Sequence, residues 1–333
     1  MQKDVSTRPL VFVTRPIPEA GLRPVREACE VRLWEGELPP PKEVILREAA
    51  ECDGLLCLLT DPIDAEVIGA GKRLRVISQM AVGVDNIDLE AATARGIPVG
   101  HTPGVLTEAT ADLTFALLLA AARRIPEGIE YVRQGRWRTW EPMALLGREV
   151  WGKTLGIVGL GRIGTAVARR ARGFAMRVLY HSRSRKPDLE AELGLEYVAL
   201  DDLLAQADFV SLHCPLTPET HHLIDEEALR RMKPTAILIN AARGPVVDTD
   251  ALLRALREGW IEAAALDVTD PEPLPADHPL LDLPNCIVIP HLGSATVAAR
   301  ERMATMAAEN LLAGLRGERL PYCANPEVYG AIR

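Results

Sequence analysis

Lysine is scarce in this chain: it supplies six of the 38 basic residues. That bias toward arginine reads as genome composition or thermal adaptation and marks no site. A surplus of positive charge is also missing. The net charge of −8 and the pI near 5.5 argue against nucleic acid or an anionic membrane as partner. The six cysteines form no C-x-x-C pair, and most sit in apolar runs such as residues 54–59, so buried free thiols in a reducing compartment are expected rather than disulfides. Neither an H-E-x-x-H motif nor a Cys/His cluster occurs, which leaves no metal site. Residues 1–7 are polar and lack a signal core, and the most apolar stretch, 109–122, is too short for a bilayer. A cytoplasmic protein follows. Repeats, low-complexity segments and long linkers are absent as well, residues 271–275 being too short to join domains.

What is present is a regular alternation of short β-rich runs with helical patterns, over a length that exceeds the usual limit of one core. The order predicts an α/β protein with two doubly wound parallel-sheet domains. The first series of strands falls at 10–14, 31–34, 54–59, 76–79 and 97–99. A second begins at 154–158, runs into a glycine turn and a helix over 163–172, and continues at 177–181, 208–214, 236–240, 263–268 and 286–290. Because the nucleotide-binding strand first appears midway, the tail is expected to return to the first series. Residues 1–100 with 290–333 then form one domain, and 101–289 a Rossmann dinucleotide-binding domain inserted into it. Helices over 108–124 and 303–315 are placed to make the two crossings.

The run Gly159-Leu160-Gly161-Arg162-Ile163-Gly164 is a G-x-G-x-x-G sequence that follows a strand and opens a helix. In that context the first glycine permits the turn, the second lets backbone approach a pyrophosphate, and the third lets the helix close on the strand. Alone, the same run is a tight strand-to-helix turn. About twenty residues on, an acid normally receives the adenine ribose of NAD. Here the chain reads Ser182-Arg183-Ser184-Arg185-Lys186, with no acid before Asp188. Two guanidiniums and two hydroxyls suit a 2'-phosphate, so NADP(H) is the expected cofactor, with NAD(H) as the lesser one. The plainer reading is a solvated basic loop.

Three residues at strand ends complete a hydride-transfer site. Arg243, in Asn240-Ala241-Ala242-Arg243-Gly244, presents a planar fork suited to a carboxylate beside a carbonyl. Glu272 stands among prolines. His291, in Pro290-His291-Leu292-Gly293-Ser294, ends the last strand and is the acid/base candidate. A carboxylate such as Glu272 would favour the charged ring and fix its orientation. Asp267, at another strand end, could accept from the nicotinamide carboxamide. Pro215, Ala241 and Gly293 are further candidates for the cofactor, and Ser294 for the substrate. Singly these residues read as a cap donor, a loop acid and a turn histidine. His101, His213 and His278 look structural, and His221-His222 sits in a polar segment.

Taken together the motifs resemble the D-isomer-specific 2-hydroxyacid dehydrogenases, most closely their glyoxylate/hydroxypyruvate reductase (glycerate dehydrogenase) branch. Residues 13–18, 81–88, 101–107, 159–164, 240–244, 266–281, 290–296 and 310–318 carry the resemblance, which spans nearly the whole chain. It implies an Arg243, Glu272, His291 catalytic set acting on small 2-oxoacids. It also implies that the backbone N–H groups of Val82 and Gly83 hold the substrate carboxylate across an interdomain cleft, in a flavodoxin-like substrate domain. A homodimer is implied, with Trp140 of the partner near the pocket. Formate dehydrogenases carry glutamine where Glu272 stands, and many phosphoglycerate dehydrogenases add a regulatory domain that is not seen here. Corepressors that sense nicotinamide cofactors share the fold and form the alternative reading, beside another D-2-hydroxyacid dehydrogenase such as a phosphoglycerate dehydrogenase.

Overall fold

The structure is a computed structural model that describes residues 8–330; the polar stretch 1–7 lies outside them. The described chain divides into two compact units, one made of residues 8–106 and 295–330 and the other of Thr107–Ser294. The junctions fall several residues beyond the expected 100 and 289.

In the first unit the order is β1 (Leu10–Val13), α1 (Glu19–Ala28), β2 (Glu30–Leu33), α2 (Lys42–Glu51), β3 (Gly54–Cys57), α3 (Ala65–Ala70), β4 (Val76–Gln79), α4 (Leu89–Ala94) and β5 (Val99–Gly100). Its five strands are all parallel and lie in the order β2-β1-β3-β4-β5. β3 and β4 are buried at every residue, as a sheet covered on both faces requires. α2, α3 and α4 cover one face through Ile45, Val67, Ile68 and Ala92.

The second unit begins with α5 (Thr107–Ala122) and α6 (Ile125–Arg133). It continues with β6 (Thr154–Val158), α7 (Arg162–Ala171), β7 (Arg177–His181), α8 (Pro187–Leu193), β8 (Leu195–Tyr197), α9 (Leu200–Gln206), β9 (Phe209–Leu212) and α10 (Glu226–Arg231), then β10 (Ile237–Asn240), α11 (Thr249–Glu258), β11 (Ala263–Leu266) and β12 (Cys286–Val288). The sheet order is β12-β11-β10-β9-β6-β7-β8, again all parallel. The order in which strands are added reverses between β6 and β9, the crevice where ligands of doubly wound sheets bind. α5 and α7 seal one face with residues such as Phe115, Leu118 and Val167, and α9, α10 and α11 seal the other with Leu203, Leu229 and Leu252.

α12 (Val297–Leu315) then returns to the first unit, where it lies on α1, β3 and β4. Two expectations need correction here. The helices expected over 108–124 and 303–315 do not run between the units. Each is apolar over most of its circumference and is buried within its own unit, and the junctions precede both helices. The short strand β8 is not among the expected strands: only Leu195 of its three residues is buried, which leaves too little apolar pattern to read.

Candidate active site

The glycine turn sits at the reversal point of the larger sheet. Gly159 has a φ of +96°, and a Cβ there would lie 2.6 Å from the Cys214 amide nitrogen, so the turn needs glycine both for its conformation and for the passage of the chain after β9. At Gly164 a Cβ would come 2.2 Å from the Gly159 carbonyl oxygen, which is how closely α7 approaches the turn. At Gly161 a Cβ would meet nothing within 4 Å. That open space is bordered by the start of α7, whose N-cap residue, Gly161, supplies no side-chain cap. The first amides of this helix are therefore left for an anion. Leu160 is buried, Ile163 half-buried and Arg162 exposed. These residues fit a dinucleotide pyrophosphate. Pro215 is exposed in the chain that leaves β9.

The loop after β7 differs from expectation in one respect. Arg183 and Ser184 are exposed, but Arg185 is held by a carboxylate within its own helix–loop segment. Its Nε and Nη2 donate to Glu190 at 2.8 and 2.7 Å. Glu190 also accepts from the Tyr180 hydroxyl at 2.7 Å, and these donors, Arg185 first, hold its carboxyl at about 2. Arg185 is thus committed to Glu190, an acid five residues on and past the strand end where a ribose-binding acid is expected. The Ser182 carbonyl accepts from the Tyr197 hydroxyl.

The strand ends gather the other residues. Asn240 is buried, and its side chain accepts from the Ala242 amide and donates to the Arg243 carbonyl, shaping the turn that carries Arg243. Arg243 is half-buried and donates to the Ala242 carbonyl at 2.8 Å. Gly244 follows so closely on the 269–270 backbone that a Cβ would lie 1.8 Å from the Thr269 carbonyl oxygen, which fixes the Arg243 turn against the segment leading to Glu272. The peptide bonds Asp270–Pro271 and Glu272–Pro273 are cis.

Glu272 Oε1 lies 2.7 Å from Nδ1 of His291, with side-chain exposures of 34% and 26%. With Nδ1 facing a carboxylate, the ring presents Nε2 to a ligand, the orientation an acid/base requires. His291 does not end a strand: β12 stops at Val288, and His291 sits in the left-handed region with a φ of 51°. Asp267 holds it there. The Asp267 carbonyl accepts from the His291 amide at 2.9 Å, and its two carboxylate oxygens accept from the Leu292 and Gly293 amides at 2.5 and 2.9 Å. Burial, opposed by those amides, pushes the Asp267 carboxyl up. Both oxygens of Asp267 accept from the histidine loop, which gives it an anchoring task, and each keeps a lone pair for a further donor. Ala241, Gly293 and Ser294 are buried beside these turns.

Val82 and Gly83 belong to the first unit, in the loop after β4. Their carbonyls are taken by Nδ1 of His101 at 3.0 Å and by the Gln79 amide at 2.7 Å, while among the described residues no protein acceptor meets either N–H. His101 has the structural part its sequence context suggests, whereas Gln79 escapes sequence reasoning because nothing in its spacing signals a bond to a loop carbonyl. Trp140 is 81% exposed, in a segment after α6 that also exposes Trp137 and Met143. The six cysteines are free, and among the described residues no group of three or more metal-ligating side chains and no membrane-crossing helix occurs.

A glycine turn shaped for a pyrophosphate, together with an imidazole–carboxylate pair and an arginine in the loops that follow the strands of one parallel sheet, defines a nicotinamide-dependent dehydrogenase. The D-isomer specific 2-hydroxyacid dehydrogenase, NAD binding domain, matches residues 115–293, and the chain belongs to that family. A glyoxylate reductase of Korarchaeum cryptofilum is 59% identical over 322 residues, covering 96% of this chain and 97% of that protein. A Thermus thermophilus protein of known crystal structure is 54% identical, with a TM-score of 0.90 over 95% of this chain and 99% of that one. An NADPH-dependent glyoxylate/hydroxypyruvate reductase of Sinorhizobium meliloti, solved with NADP and malonate, is 32% identical, with a TM-score of 0.86 over 96% and 98%.

Proposed function

We propose that the protein reduces small 2-oxoacids, glyoxylate to glycolate and hydroxypyruvate to D-glycerate, and takes NADP(H) in preference to NAD(H). The observation that carries the reading is the 2.7 Å contact between His291 and Glu272, in the loops that leave the sheet carrying the glycine turn. When bound, the reduced nicotinamide supplies the hydride. Arg243 pairs with the substrate carboxylate and turns its 2-oxo group toward His291. His291 gives the proton on Nε2 to the carbonyl oxygen as it gains charge, and Glu272 on Nδ1 offsets the positive charge of the ring until that proton leaves. The N–H groups of Val82 and Gly83 suit a carboxylate. Arg183 and Lys186 are the cations left to meet a 2'-phosphate, and the relative from Sinorhizobium meliloti supports NADP as cofactor.

The working form is a homodimer in this reading, supported by the exposed apolar face of Ile125, Ile129, Val132, Trp137, Trp140 and Met143. Trp140 of a second copy would then border the substrate. Initial rates with glyoxylate and hydroxypyruvate, each with NADPH and NADH, test the proposal. Faster oxidation of NADPH supports it, and a preference for NADH removes the cofactor reading. No turnover despite cofactor binding would favour the sensor and scaffold role of the corepressors that share this fold.

A further inference from the structure

The loop after β7 holds two arginines, but they are not equivalent. Arg185 meets Glu190 through Nε and Nη2, and the Glu190 carboxylate also takes the Tyr180 hydroxyl. The same hydroxyl oxygen accepts from the Lys186 amide at 2.7 Å, which ties the loop back to β7. Tyr180 itself is fully buried in the sheet, so this circuit is anchored. The Glu190 side chain is 14% exposed while that of Arg185 is 62% exposed: the carboxylate is the fixed partner and the guanidinium the one brought to it. Arg183 has no hydrogen bond or salt bridge among the described residues, yet its charge reaches Glu219 in the chain after β9. The Glu219 carboxyl is held below its usual range, first by the Thr217 hydroxyl and last by Arg183. β7 and β9 flank β6 on either side, so these two segments border the glycine turn from opposite sides.

We propose that Glu190 is a specificity-determining residue: by holding Arg185 it leaves Arg183 and Lys186 as the loop's cations for a 2'-phosphate and keeps the preference for NADPH over NADH small. The proposal rests on the reading that this loop meets the adenine ribose. A 2'-phosphate brings close to two negative charges, and its attraction to the loop scales with the positive charge not already cancelled nearby. Glu190 cancels one such charge, and its carboxyl, held far below neutrality, keeps doing so at any working pH.

The test compares kcat/KM for NADPH and NADH in the parent, Glu190→Gln, Arg185→Ala, the double variant and Arg183→Ala. Glutamine keeps an acceptor for the Tyr180 hydroxyl and removes only the charge. The NADPH:NADH ratio is expected to rise about fivefold in Glu190→Gln, as for release of an exposed ion pair. It falls in Arg185→Ala, which leaves the Glu190 carboxylate uncancelled, and returns to the parent value in the double variant, opposite effects that a purely structural role of Glu190 would not produce. An unchanged ratio in Glu190→Gln, or a double variant that keeps the raised ratio, overturns the proposal. Arg183→Ala separates the two readings. If its ratio falls while Glu190→Gln is silent, only the role of Glu190 is lost; if it does not fall, the phosphate-reading loop is lost with it.

Discussion

The turns around Gly159, Arg243 and His291 and the loop at residues 182–186 serve one site but are built differently. In the former, backbone is fixed by close approach and by buried side chains: Gly244 against Thr269, Asn240 on the Arg243 turn, Asp267 on the His291 loop. In the latter, side chains stand in solvent and their arrangement is set by pairing of charges. On the proposed function, the chain fixes geometry where reacting atoms are aligned, and uses adjustable exposed charge where one cofactor is told from a close relative. Substitutions in the first group should therefore cost activity or stability outright, and those in the second should change only preference.

The largest effect is expected from His291→Asn, which removes the proton donor and should lower kcat by about 10³-fold while cofactor affinity, read by fluorescence titration, holds. Retention of more than a tenth of the activity would take the acid/base role away from His291. Next comes His213, at the end of β9 beneath the glycine turn, where burial pulls the imidazole down to about 4. Its Nε2 lies 2.8 Å from the Ser211 hydroxyl and its Nδ1 is buried without a partner among the described residues. Because the unfolded chain binds that proton near the ordinary 6.5, stability is complete above that pH and falls as the pH drops toward 4. Denaturant titrations at the two ends of that window should show the parent losing about 3 kcal/mol more than His213→Gln. Equal slopes would mean the ring is reached by solvent.

Gly164→Ala places a methyl group against the Gly159 carbonyl and should cost about 1–3 kcal/mol of stability together with cofactor affinity. A variant that binds cofactor as the parent does would show that the turn yields. The smallest effect at neutral pH belongs to Glu272→Gln, which should narrow the pH range of reduction from the alkaline side, since the charged ring loses its carboxylate. A pH–rate profile that superimposes on the parent's would deny Glu272 this task.

Much of this arrangement is legible in the sequence, because the physics that produces it is local. The glycine run predicts its turn from spacing and from the strand before it, and Arg243, Glu272 and Asp267 follow from where apolar runs stop. The pairing of Arg185 with Glu190 is not legible, since it depends on α8 folding back so that an acid five residues away meets the loop. The left-handed turn at His291 is hidden for a similar reason: the backbone there is held by Asp267, 24 residues earlier, which pattern alone assigns to the ligand. β8 escapes because three residues at a sheet edge bury too little to stand out.

The insertion of Thr107–Ser294 between the two parts of the first unit also sets an order of events on the ribosome. A nascent chain that has emerged from the ribosome as far as Ser294 holds every strand of the larger sheet and can close it. The smaller sheet, although made first, still waits for α12, the helix that covers β3 and β4, and keeps an apolar face open throughout the synthesis of its neighbour.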